Sequence, residues 1–384
     1  METLISDPAP IDHRKWVDTL HQIGKEFAER TAQYDRDNGF VFENYVTLKG
    51  HHFFSAMIPQ ELGGGGLSYE EMCHSLRQIA YYCGSTALAA SMHQHLVAAN
   101  IWKYRKGQGA EELLKKISAN QLILVSTGAG DWLDSNGTME KTEGGYLVTA
   151  QKHFASQSVV GSILVTSAPY QDPDKGWQVL HFPVLFTAEG LSVKNDWNAH
   201  GMRGTGSHTI VLQKVFVPET AIVLRRPRGE FHPFWNVVLT AAMPLIMSVY
   251  VGLAEKAAKI AITHAKTDSQ VVYLLGEMQN ELTTAQVMWK DMLRINNNLD
   301  FQAINAHGND ILIRKTIVAN ACIKTVAKAV EVVGGRGYLR SLELERLLRD
   351  VQAAPFHPLP EKAQHAFTGN YLMENKDLLE NSIK

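Results

Sequence analysis

Two histidines, His93 and His95, stand two residues apart in the small, apolar segment CGSTALAASMHQHLVAAN, and an imidazole can exchange a proton near neutral pH. On a helix, positions i and i+2 do not share a face, so the pair is not expected to bind one metal ion. Each ring is then either a separate acid–base group or a core or surface histidine satisfied by its neighbours. A third imidazole, His357, lies between Phe356 and Pro358, where it suits the same proton chemistry or caps a loop. Arg203, in NDWNAHGMRGTGS, sits among Gly and Ser at a strand turn, where a guanidinium faces a phosphate or carboxylate or stays solvated. The glycine run of MIPQELGGGGLSYEE precedes a helix start, a place that can cradle phosphate, but GxGxxG and GKS are both absent. Cys73, Cys83 and Cys322 are odd in number and without CxxC spacing, which argues against a disulfide framework and a zinc site.

The elements that must hold these groups follow from periodicity. Gly144 to Glu219 reads as strand and turn: apolar and polar residues alternate through Tyr146–Thr149 and Thr209–Val217, with Gly, Ser and Asn clusters bounding the runs. The chain before it is helical in pattern from about Ile11 to Ala119, with Ser68, Glu70 and Glu71 starting one helix. From about Phe231 onward it is helical again, with breaks expected at Gly276 and around Asn305 to Asp310, and with Pro244 tolerated near a helix start and kinking elsewhere. The class is α+β: an N-terminal helical domain (1–119), a middle β-barrel-like domain (120–223) and a C-terminal bundle of four-helix type (224–384).

With 45% hydrophobic and 20% charged residues, the 384-residue chain has the material for a large core and two or three domains. A formal net charge of -2 offers no broad field for nucleic acid or an anionic membrane, so neither is expected as a partner. METLISDPAPIDHRKW has acids and prolines where a leader would run basic then apolar, and no 18-residue apolar stretch is expected. The expectation is a soluble cytoplasmic protein.

A β-module between two helical blocks, carrying KHFASQS and NDWNAHGMRGTGS, resembles the acyl-CoA dehydrogenase superfamily of flavoenzymes over nearly the whole chain. The wording is similar to the reduced-flavin monooxygenases of the dibenzothiophene monooxygenase type. The resemblance implies that Phe154 takes the place of the indole lying against the flavin, with Ala155 beside it and Ser156 in the Thr place near the reactive edge. Ser126 or Thr127 would supply the hydroxyl of the family's TEPxAGSD segment, which reads STGAGD here. Trp197 and Arg203 are the corresponding candidates across the module, and Gly334 and Gly335 fall on the family's GGxGY turn. The relatives also carry an active-site histidine in the helix of His93 and His95, without indicating which of the two it is here.

The same comparison exposes a missing group. An acyl-CoA dehydrogenase needs a carboxylate to remove the substrate α-proton. At one family position, after Arg349-Asp350, this chain has His357 on the tyrosine and Pro358 on the glutamate; at the other it has Ala242-Met243-Pro244. His357 is the natural replacement. The family's R-x-x-F-G and Q-x-x-G-G contacts to the FAD tail fall on Asp268 with Val271 and Val272, and on Glu331. Carboxylates repel a diphosphate, which turns the expectation towards reduced FMN, or FAD bound mainly by its ring. The resemblance thus implies a monooxygenase-like enzyme fed by a flavin reductase, acting on a small aromatic or heteroatom substrate with His357, Ser156 and His93 or His95 as catalytic groups. The alternatives are an acyl-CoA dehydrogenase with His357 as base and an electron-transfer flavoprotein as partner, and a catalytically silent flavin-binding or assembly subunit. A homotetramer built on the C-terminal helices is expected.

Overall fold

The apolar positions of WVDTLHQIGKEFAERTAQYDRD recur every three or four residues, and in α1 (His13–Asp37) they become one buried stripe of Trp16, Leu20, Ile23 and Phe27. The computed structural model describes residues 11–128, 134–266 and 269–376. After α1 come α2 (Phe42–Gly50), α3 (Tyr69–Tyr82), α4 (Gly84–Arg105) and α5 (Glu111–Asn120). A capping box opens α3: Ser68 Oγ accepts from the Glu71 N–H at 3.2 Å, and the Glu71 carboxylate accepts from the Ser68 N–H at 2.8 Å. The preceding glycines serve close packing. A Cβ on Gly64 would lie 2.1 Å from the Ile58 carbonyl oxygen, and one on Gly65 2.8 Å from that of Ala56. Rich in Ala and Ser, α4 is buried along most of its length and forms the centre of the helical layer.

Among the described residues eight strands follow: β1 (Leu124–Ser126), β2 (Thr138–Thr142), β3 (Gly145–Ala155), β4 (Ile163–Asp172), β5 (Gly176–Leu185), β6 (Leu191–Val193), β7 (His208–Pro218) and β8 (Leu224–Pro227). They form two four-stranded sheets, ordered β1-β4-β5-β8 and β2-β3-β7-β6. All pairs are antiparallel except β1 with β4. The alternation read from the sequence is the sheet's inner face: Tyr146, Val148 and Ala150 on β3, and Ile210, Leu212, Val215 and Val217 on β7. On β7 the buried set slips by one residue after Leu212, and the slip is a β-bulge. Val148 pairs with Val215 but Ala150 with Leu212, and Lys214 takes φ +50° at the extra residue.

The helices α1–α5 and both sheets make up one compact unit, and the chain divides between His232 and Pro233. The second unit contains α6 (Phe234–His264), α7 (Ser269–Asn296), α8 (Asn305–Val333), α9 (Leu344–Val351) and α10 (Glu361–Glu374), with α6, α7 and α8 packed on one another and α10 on α8. Three expectations are corrected here. Gly276 does not break α7: it is an exposed position in mid-helix where a Cβ would meet nothing, and the flanking Met278 and Leu282 anchor the helix to the core. Asn305 is not a break but the first residue of α8. An apolar stretch does exist, because α6 is long and apolar enough to cross a membrane by length and composition. Its most apolar window is 94% buried inside the protein, as befits the core helix of a bundle.

Pro244 lies inside α6 rather than near its start. A proline there donates no N–H to the carbonyl four residues back. That carbonyl, Thr240 O, instead accepts from the Asn296 side-chain amide at 2.9 Å. The Pro244 carbonyl is itself bonded by Ser248 Oγ at 2.7 Å and Trp289 Nε1 at 3.2 Å. The buried polar residues of α7 and α6 thus repair the interruption.

Candidate active site

The two histidines of α4 have different surroundings. His93 is fully buried, its Nδ1 accepting from the Leu124 N–H at 3.0 Å. Nε2 therefore carries the imidazole proton and donates it to the Phe54 carbonyl at 2.8 Å. Both nitrogens are committed, and the ring ties the start of β1 to the chain before α3. His95 makes one long contact, Nδ1 with the Ser91 carbonyl at 3.4 Å, and its Nε2 has no hydrogen-bond partner among the described residues. Burial pushes both imidazoles down to about 4, so each is neutral at pH 7.

At the end of β3, Phe154 is 66% exposed although it is a large aromatic side chain on a strand. Its ring meets the Trp197 indole edge to face, at 5.6 Å and 67°. Trp197 is fixed from several sides. Its Nε1 donates to Met202 O at 3.3 Å, its N–H and that of Asp196 donate to His208 Nδ1 at 3.0 and 3.1 Å, and Asn38 Nδ2 donates to its carbonyl. The neighbouring Asp196 carboxylate accepts from the Thr209 N–H at 2.9 Å, which holds its pKa below the usual range. Arg203 donates Nε to Ala199 O at 3.0 Å and Nη1 to Asp35 O at 3.4 Å, so part of its guanidinium serves to hold the same turn.

Beside Phe154 and the buried Ala155, Ser156 begins a hydroxyl chain with a defined direction. Thr205 Oγ1 donates to Met202 O at 2.9 Å. With that proton committed, Thr205 accepts from Ser207 Oγ at 2.7 Å, and Ser207 accepts from Ser156 Oγ at 2.8 Å. Ser156 Oγ therefore turns lone pairs, and no proton, towards anything placed beside it. Ser126 ends β1 opposite Val165, and Thr127 Oγ1 lies 3.2 Å from Thr166 Oγ1. Gly128 then runs against the 153–154 peptide so closely that a Cβ would sit 2.7 Å from His153 O. The first unit thus brings Thr127, Phe154, Ser156 and Trp197 to one end of the sheets. Of the STGAGD match, Ala129, Gly130 and Asp131 lie outside the described residues.

The second unit carries the remaining candidates. His357 follows a short turn, Ala354–Phe356, and its Nε2 is 2.6 Å from the Tyr250 hydroxyl of α6. Burial, reinforced by Asp350, holds the Tyr250 phenol well above its ordinary pKa. It keeps its proton at neutral pH and donates it to Nε2 of His357. Gly334 and Gly335 are exposed in the turn that ends α8, where Gly334 takes φ +67°. Glu331 is exposed and ion-paired with Lys328 at 2.9 Å, while Asp268 lies outside the described residues. No three His, Cys, Asp or Glu side chains among the described residues could hold a metal ion together.

Three contributors escape a reading of the sequence. Ser207 and Thr205 sit within the GTGS run, where hydroxyls look like ordinary turn residues, and only their order in space makes a chain. Tyr250 stands in the apolar run of α6 like any core aromatic; a lone phenol in so apolar a helix is the one signal, since a buried hydroxyl needs a partner.

Comparison with known proteins agrees with this architecture. Residues 11–121 match the acyl-CoA dehydrogenase N-terminal domain, and residues 245–360 the C-terminal domain of the same family. A putative acyl-CoA dehydrogenase of Bacillus subtilis (strain 168), YdbM, is 26% identical over 372 residues, spanning 90% of this chain and 93% of the relative. Among solved structures, a nitrososynthase from Micromonospora carbonacea var. africana superposes with a TM-score of 0.86 at 22% identity, over 95% of this chain and 98% of that one. FMN-bound TdsC, a dibenzothiophene monooxygenase from Paenibacillus sp. A11-2, superposes with a TM-score of 0.81 at 17% identity, over 94% and 98%. With both family domains matched, one on either side of the strand segment in sequence, the chain belongs to the acyl-CoA dehydrogenase family.

Proposed function

We propose that the protein is a flavin-dependent monooxygenase-like oxidoreductase that uses reduced flavin and oxygen on a small aromatic or heteroatom-bearing substrate. The observation that carries this reading is the replacement of the dehydrogenase base. Where family dehydrogenases place a glutamate, this chain has Pro358 beside the Tyr250-bonded His357, and at the second position it has the buried Ala242, Met243 and Pro244. Proton abstraction from a thioester α-carbon would lack its carboxylate, whereas an imidazole suits proton delivery to an oxygen or heteroatom centre.

A flavin ring needs a flat apolar wall and polar groups along its edge. The exposed Phe154 face, braced by Trp197, and the acceptor hydroxyl of Ser156 fit those needs. Bound reduced flavin supplies the electrons that activate oxygen. Thr127 rather than Ser126 is the better-anchored hydroxyl, and the bonded Arg203 supports the turn behind Trp197. His95 takes the active-site role among the α4 histidines, because His93 has no nitrogen to offer. Tyr250 fixes the His357 ring through Nε2, which supports its proton-transfer role.

The FMN of TdsC and the carboxylate of Glu331 on the FAD-tail position together favour FMN over FAD. A separate flavin reductase would deliver it, in the cytoplasm. Exposed Val272 and Tyr273 on α7 support a homo-oligomer, a tetramer in our reading.

The test couples the purified chain to a flavin reductase and follows oxygen consumption and product oxidation. His357→Ala is expected to lower turnover by about 10²- to 10⁴-fold, the scale of acid–base catalysis, with flavin affinity nearly intact. Full turnover in that variant would refute the role of His357, and anaerobic bleaching of bound flavin by an acyl-CoA would replace the monooxygenase by a dehydrogenase.

A further inference from the structure

Two backbone carbonyls of the loop that carries His357 converge on a single side chain. Lys315, on α8, is completely buried, and its Nζ donates to two backbone carbonyls, Pro355 O and Leu359 O, each at 3.0 Å. These carbonyls lie two residues before and two residues after His357. The segment has little structure of its own: one 3₁₀ turn over Ala354–Phe356, then Pro358 and Pro360, which have no N–H to donate. An ammonium is suited to the task because it offers three protons from one atom and accepts none, so two converging carbonyls are satisfied together.

We propose that Lys315 is a positioning residue, whose ammonium clamps the Pro355–Leu359 loop and thereby keeps the His357 imidazole on the Tyr250 hydroxyl. The inference rests on the reading of His357 as the proton-transfer group. Burial pushes the Lys315 pKa down to about 8, with Glu361 drawing it back up. Glu361 itself is bonded by Asn320 at 3.2 Å and Lys362 at 3.1 Å and does not contact Nζ in a salt bridge. A methionine would fill the same space without desolvating a charge. The feature of this site that calls for a cation is the pair of loop carbonyls.

The experiment compares the full-length wild type with Lys315→Met, Lys315→Gln and Lys315→Arg. Hydrogen exchange is read on the amides of Gln352–Leu359, with α6 and α8 as internal reference, and the ring resonances of His357 are identified by their loss in His357→Gln. The Met variant is expected to speed loop exchange at least tenfold, to shift the His357 resonance, and to lower kcat more than KM; Arg should recover part of all three. Unchanged loop exchange and an unchanged His357 resonance in a folded Met variant overturn the clamp. Should the Met variant not fold, the same two readouts in Lys315→Gln decide the matter. A freed loop and a shifted resonance, in a protein whose turnover ignores His357→Ala, support the clamp and overturn the acid–base reading instead.

Discussion

Removing the His93 side chain should damage the fold and spare the chemistry. In His93→Ala the Leu124 N–H and the Phe54 carbonyl, both buried, lose their partner together. Each stranded buried polar group costs about 1–3 kcal/mol, about 2–6 for the two, and the space vacated by the ring adds a cavity term, so the sum is at least about 3 kcal/mol. That is a large part of the roughly 5–15 kcal/mol that keeps a domain folded. His95→Ala removes one contact of 3.4 Å and should cost less, while turnover falls. The assay is urea unfolding followed by circular dichroism, paired with turnover per folded molecule at low temperature.

Acid adds a second reading of the same site. Both imidazoles are depressed to about 4 in the folded chain, from 6.5 when exposed. A depressed pKa contributes stability that is present above 6.5 and lost as pH falls through 4, on the order of 3 kcal/mol for each ring. The stability of His93→Ala should therefore fall less steeply than that of the wild type between pH 6.5 and 4. A cost below about 1 kcal/mol, with an unchanged pH profile, would refute the structural assignment of His93.

Two further outcomes follow from the sheet end. Phe154→Ala should weaken FMN binding about five- to tenfold, the worth of one aromatic pair, and change unfolding stability by less than about 0.5 kcal/mol because the ring is exposed; fluorescence titration checks the first and urea unfolding the second. Thr205→Val removes the hydroxyl that sets the direction of the Ser207–Ser156 chain and frees the Ser207 proton for Ser156. Ser156 could then donate, and the affinity ratio of reduced to oxidised FMN should fall by about fivefold, one hydrogen bond's worth; an unchanged ratio counts against the directed chain.

Much of this molecule is legible without coordinates. The α+β class, the helix–sheet–helix order, the helix start at Ser68 and the inner faces of β3 and β7 all rest on contacts within a few residues, or on a period of two, and such patterns are written along the chain. The match at Lys152–Ser158 likewise offers Phe154 and Ser156 as candidates for an aromatic wall and an edge hydroxyl. The same local patterns misplaced the ends of α7 and α8, because Gly276 is carried by the packing of residues around it; the apolar run of α6 is written in the sequence, and only its burial is tertiary. What a polar group does depended on tertiary structure alone. His93 and His95 look alike in sequence, but Leu124, 31 residues away, closes one of them and leaves the other open. Tyr250 reaches His357 across 107 positions, and Lys315 reaches Pro355 and Leu359 across 40 and 44. A hydrogen bond needs its partner within about 3 Å and in line, and no periodicity in the chain encodes which distant atom will arrive there.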